Sequence, residues 1–407
     1  MIKLIGLTSV GIICLGMNLF WSAYSSTLRQ ETHLEFDRNL ILQRNSKPGA
    51  WAIPKITRTP EGNALIVVQD RAGGDWGKPI YPVALRSDDG GKRWTDPVRL
   101  IPDDFPRIDR CLFKPTGLVA DLLKSKLFVF ISRAPLTKPD GSPLLERDFY
   151  QNIQATRRQG RAWFVVESSD DGRSWSTPKE ITHQLIKKHH WQEWSPVHSG
   201  LQIQTGPFKG RLVVPVRCHC PPSDPSPTFD SQWQTNGVLF SDDHGATWTP
   251  GGTTGAHFGE ASLVELGDGS LYLHQRASFS QKPQRWYAFS TDGGVTFSES
   301  KLTGQRDAPC HAGITKLADN RLLLSHVPGP GRKNLTLSIS DPSGRDWREV
   351  FVIDSNPTAY SDLCRLADDS FLLVYETGKT QSRKDIAVAR FNASWLQTHL
   401  INGFKNP

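Results

Sequence analysis

Five times between Ser87 and Trp347 the chain repeats one short polar phrase that closes on an aromatic residue. The copies are "SDDGGKRW" from Ser87, "SSDDGRSW" from Ser168, "SDDHGATW" from Ser241 and "STDGGVTF" from Ser290. A frayed copy, "SDPSGRDW" from Ser340, has Pro342 where the aspartate is expected. Asp and Ser side chains satisfy loose backbone N–H groups in a tight turn, Gly permits positive φ there, and an aromatic ring can wedge between sheets. The phrase therefore reads as a structural turn between two strands.

A second phrase keeps pace with the first: a short strand, a polar turn and a stronger apolar strand. Its copies begin at Ile53, Gly117, Gly200, Ala261, Ala312 and Ser361. Their turn residues and alternating apolar positions make each one an antiparallel hairpin. Five hairpins lead into a third apolar strand, such as "YPVALR" before Ser87, that runs straight into the box. The sixth has the strand "DIAVARF" and no box after it. Six such units at this spacing predict an all-β chain, a six-bladed β-propeller of four-stranded antiparallel blades. The expected propeller covers residues 49–400, behind a lead-in over 27–48.

The leader "MIKLIGLTSVGIICLGMNLFWSAYSS", residues 1–26, has one lysine, an apolar run and then small residues. It reads as a secretory signal or, uncleaved, as an N-terminal anchor, which places the protein outside the cytoplasm, secreted or periplasmic. The five cysteines beyond it are odd in number and irregular in spacing, which is no disulfide framework. "CHC" at Cys218 to Cys220 lacks the paired spacing of zinc sites, and no cofactor or metal is expected. The net charge of +7 favours anionic partners such as acidic glycans. No basic block is interleaved with aromatics as a nucleic-acid groove requires.

The meander fixes which end carries chemistry. The boxes join strands three and four, so they lie opposite the starts of first strands and the two-to-three connections. Polar residues gather at those latter places. Asp75 sits in the first unit's two-to-three connection, with Arg71 at the end of the strand before it. Glu260 opens the fourth unit, Arg276 ends its second strand, and Arg332 lies in the fifth unit's two-to-three connection. Tyr360 opens the sixth unit and Glu376 ends its second strand. Taken singly, each has a plainer reading as turn former, solvated charge or packing residue. Their convergence on one rim is what overrides it.

From about Trp51 to Phe391 these positions resemble the exo-sialidase (neuraminidase) family. The boxes look like its Asp-boxes, "GEASLVELGDGSLYLHQR" like its Glu-containing strand followed by an arginine, and "AYSDLCRLADDSFLLVYETG" like its nucleophile strand. "GRKNLTLSIS" is similar to the segment that carries another arginine. The resemblance implies Tyr360 as nucleophile, Glu260 as its base, and Asp75 as acid and then base. It also implies Arg276 and Arg332 as a clamp on the sugar carboxylate, with retention of anomeric configuration. A carboxylate nucleophile would meet like charge beside that carboxylate, whereas a neutral phenol does not; sialidases are the Tyr-based exception to the two-carboxylate scheme.

One position departs from the family pattern. Where an Arg-Ile-Pro phrase usually opens the first blade, this chain has "WAIP", with Ala52 at the arginine position. Lys55 and Arg71 are the nearby cations able to compensate. The implied substrate is a glycan ending in sialic acid or in another acidic keto-sugar. The alternative is a propeller that binds acidic sugars with little or no turnover.

Overall fold

The computed structural model describes residues 35–44, 49–71, 78–138, 140–144, 161–187, 192–219, 234–256, 258–277, 283–381 and 384–402. The chain is all-β and propeller-like, with antiparallel four-stranded blades. One sheet joins Ala50–Arg58, Ala64–Arg71, Tyr81–Ser87 and Val98–Arg99 in chain order. Another joins Phe258–Glu265, Leu271–Ala277, Gln284–Ser290 and Lys301–Arg306 in the same way. Two further sheets are built on the same meander around Lys126–Pro135 and Leu212–His219, with short added strands. Second strands such as Leu271–Ala277 are buried along their whole length, as central strands of stacked sheets must be.

The fifth sheet has seven strands. Its spine is a single strand, Trp347–Arg365. Up to Pro357 this strand pairs with Lys333–Ser340, and from Thr358 onward it pairs with Phe371–Thr377. It thus ends one four-stranded meander and opens the next. The outer edge of the second meander is supplied from the opposite terminus. Phe36–Leu42, inside the segment read as a lead-in, lies antiparallel on Asp385–Phe391. Closing a ring with a strand from the far end covers an edge that would otherwise be open. The helix Ala393–Asn402 follows, and the Asn392 side chain accepts the Trp395 N–H as its N-cap.

The boxes hold neighbouring sheets together. In each regular copy the serine Oγ donates to the box aspartate and accepts the glycine N–H, as in Ser241, Asp243 and Gly245. The aspartate also takes a backbone N–H four residues ahead of its own position, here that of Thr247. In the frayed copy Asp341, one residue early, accepts the N–H groups of Arg345 and Asp346, so Pro342 costs the turn nothing essential. Gly245 has φ +85°, and a Cβ there would run into the Phe128 ring of the preceding sheet. Trp248 is buried against Phe128 and Phe130, with ring centroids 5.9 and 4.7 Å away.

Candidate active site

First strands bulge where they enter the opposite end of the fold. Two residues oppose one between Ala52 and Lys55, between Phe258 and Ala261, and between Thr358 and Ser361. A one-residue shift also separates Pro115 from Gly117. A bulge breaks the two-residue alternation and re-aims the side chain inside it. Glu260 and Tyr360 both lie within such bulges. The one in the first sheet holds Ile53 at φ +52°.

These bulges bring three side chains into mutual contact. The Tyr360 hydroxyl donates to Glu260 Oε1 at 2.8 Å. Arg276 Nη1 donates to the other oxygen of Glu260 and, at 3.0 Å, to the Tyr360 oxygen. Arg332 stands over the Tyr360 ring, 5.4 Å from its centroid, and donates from Nη2 to the Pro309 carbonyl at 2.9 Å. Glu376 is fully buried and works through the backbone. It accepts Ile53 N–H at 2.7 Å with one oxygen and Tyr360 N–H at 3.3 Å with the other. Arg71, also buried, donates from Nε to Gln69 at 2.8 Å.

Glu260 and Tyr360 form one wall of a cavity of about 170 Å³ that Lys55, Arg71, Arg161 and Arg217 also line. Apolar side chains, among them Leu112, Ala134 and Trp163, complete it. Burial resists charge on Glu260, but Arg276 and then Arg217 overcome it and hold the carboxyl well below the usual carboxylate range. Burial likewise resists charge on Arg276, and Glu260 more than restores it. Lys55 is different: burial pushes its amine down to about 7, against the pull of Asp362. Beneath it His198 and His311 stack face to face, both kept neutral by burial.

Of the residues singled out in the sequence, Glu260, Tyr360, Arg276, Arg332 and Glu376 are brought together, with Arg71 on the same cavity. Asp75 lies outside the described residues. Arg217 and the His198–His311 stack escaped the sequence reading. Arg217 had a signal: second strands end in arginine at Arg71, Arg133, Arg217 and Arg276. Cys218 beside it is disulfide-bonded, while Cys111, Cys310 and Cys364 are free and buried. Among the described residues no group of His, Cys, Asp and Glu is arranged to hold a metal ion, and no helix is long and apolar enough to cross a membrane.

Comparison with known proteins places this geometry in context. Residues 135–394 match the family described as "BNR repeat-like domain". A sialidase of Micromonospora viridifaciens is 27% identical over 375 residues, 85% of this chain and 52% of that protein. Sialidase-2 of Mus musculus is 27% identical over 243 residues, 52% of this chain and 61% of its own length. The chain thus spans little more than half of these relatives. Among solved structures, a Hadza microbial sialidase superposes with a TM-score of 0.69 at 22% identity, covering 85% of this chain and 66% of its own. The intramolecular trans-sialidase from Ruminococcus gnavus, solved with oseltamivir carboxylate, gives 0.66 at 20% identity, covering 88% and 98%. At such identities the structural likeness speaks to the fold.

Proposed function

The chain belongs to the BNR repeat-like family, with sialidases as its relatives, and on that premise we propose that it is a retaining exo-glycoside hydrolase. Its substrate is a glycan ending in sialic acid or a related acidic keto-sugar. The observation that carries the reading is the hydrogen bond from the Tyr360 phenol to Glu260, with Arg276 bound to both. We read the seven-stranded sheet as two blades sharing one long strand, which makes the propeller six-bladed. The site then sits at one mouth of its central channel.

In this reading the Tyr360 oxygen attacks the anomeric carbon as its proton passes to Glu260. The glycosidic C–O bond breaks, and Asp75 protonates the departing oxygen. Water then attacks the same carbon, giving its proton to Asp75, and the phenol leaves with the proton that Glu260 held. A carboxylate held so acidic is a weak base for a phenol. Arg276 supports the step from the other side, since its N–H at the phenol oxygen stabilises the phenolate as it forms. Arg276 and Arg332 also hold the sugar carboxylate through charge-assisted hydrogen bonds. The apolar leader over residues 1–26 supports a secreted or periplasmic setting, or an N-terminal anchor if it is uncleaved.

A fluorogenic sialoside assay tests the reading, with Tyr360→Phe as the control. Release by the wild type that the variant equals would reject Tyr360 as nucleophile. A second reading, an acidic-sugar-binding propeller with little turnover, is favoured by the buried Ala52 at the arginine position. Saturable binding without release would select it.

A further inference from the structure

The first strand places Ala52 where an arginine is expected, yet it delivers another cation to the cavity three residues later. Lys55 is fully buried and lines the cavity together with Glu260 and Tyr360. Its Nζ donates to the Ile53 carbonyl at 3.2 Å and to the Pro115 carbonyl of the neighbouring sheet at 3.1 Å. An ammonium has three N–H donors. Two are engaged by these carbonyls among the described residues, and one remains to offer to the cavity.

Lys55 is also tied to the Tyr360 strand. Its partner Ile53 is the bulge residue whose N–H donates to Glu376, and Glu376 accepts Tyr360 N–H with its other oxygen. One bulge therefore fixes the ammonium relative to the tyrosine backbone. Arg71 reaches the same cavity, but its Nε is directed at Gln69. The geometry points to Lys55 as the cation that recognises the acid group of the ligand in place of the arginine lost at Ala52. This inference rests on the acidic keto-sugar reading above.

The surroundings make that recognition pH-dependent. Burial opposes the charged amine most, Asp362 favours it, Arg71 opposes it, and Glu376 and Glu260 favour it. His198 and His311 are kept neutral by burial, and Lys114, Arg161 and Arg217 line the same cavity. The balance leaves the amine at about 7. An arriving carboxylate favours the charged form. Above neutrality the ligand therefore binds with uptake of a proton; below it the ammonium is already charged.

Calorimetry of the full chain with 2-deoxy-2,3-didehydro-N-acetylneuraminic acid, in two buffers of different ionisation enthalpy, counts that proton. The wild type is expected to take up close to one proton at about pH 8, and to lose affinity by about tenfold per pH unit above neutrality. Lys55→Met should show no uptake and a flat pH profile, with binding at about pH 6 weakened roughly tenfold or more. Lys55→Arg should bind at all these pH values with no uptake, which keeps the test open if Lys55→Met fails to fold. Equal affinity and an equal proton count in wild type and Lys55→Met would overturn the inference and leave the proposed function standing. No binding by the wild type would overturn both.

Discussion

Tyr360 donates its phenol proton to Glu260 across 2.8 Å, from a strand 100 residues further along the chain. Each lies in a bulge of the first strand of its own meander, so local irregularity in two sheets creates the contact. Arg276 closes it into a triangle. This pairing fits the neutral nucleophile proposed above, with a carboxylate to take its proton and a cation beside its developing charge.

Glu260→Gln keeps the shape and removes the proposed base. It should lower kcat by about 10²-fold or more. It should also cost about 3 kcal/mol of stability, because Arg276 is left buried beside a neutral amide. Steady-state kinetics and chemical denaturation on one sample check both effects.

Arg276→Met should reveal the linkage between Glu260 and acid stability. The Glu260 carboxyl is held below its ordinary value of 4.5. Its contribution is therefore full above that value and is lost as pH falls through the depressed one. Without Arg276 the main lowering influence disappears, so the midpoint of acid unfolding should move to higher pH. Circular dichroism across an acid titration reads this directly.

Lys55→Met should raise stability near neutral pH. The amine sits at about 7 in the folded chain against 10.5 ordinarily. Stability contributed by the neutral amine is full above 10.5 and is lost as pH falls towards 7. Wild-type stability should therefore climb over this window and the variant's should lack that slope. The gap near pH 7 should be on the order of a few kcal/mol. Denaturant midpoints at three pH values settle it.

Gly245→Ala tests the boxes as mortar between sheets. A Cβ there would meet the Phe128 ring on a backbone at φ +85°. A loss of about 2–4 kcal/mol is expected, with no change in KM, because the box lies at the far end from the cavity.

The repeat made the meanders legible, because turn chemistry and alternating apolar positions are local properties of sequence. Glu260, Tyr360, Arg276 and Arg332 were legible because strand order alone assigns them to one rim. The closing strand Phe36–Leu42 was not, since its first five residues are exposed and carry no apolar alternation. Nor was the fusion of two meanders through Trp347–Arg365, where nothing local forces a break. Lys55 was visible as a nearby cation, but its reach into the cavity depends on a bulge set by neighbouring sheets. The His198–His311 stack has no local signature, because its partners are more than a hundred residues apart, one on a short strand and one in a connection.

The most direct test of the central claim is covalent trapping. The full chain is incubated with an activated fluorinated acidic keto-sugar, whose slow turnover accumulates the glycosyl-enzyme, then digested and sequenced by mass spectrometry. One adduct on Tyr360, absent from Tyr360→Phe, is the expected result. An adduct on Glu260, or hydrolysis that proceeds with Tyr360 unmodified, would contradict it.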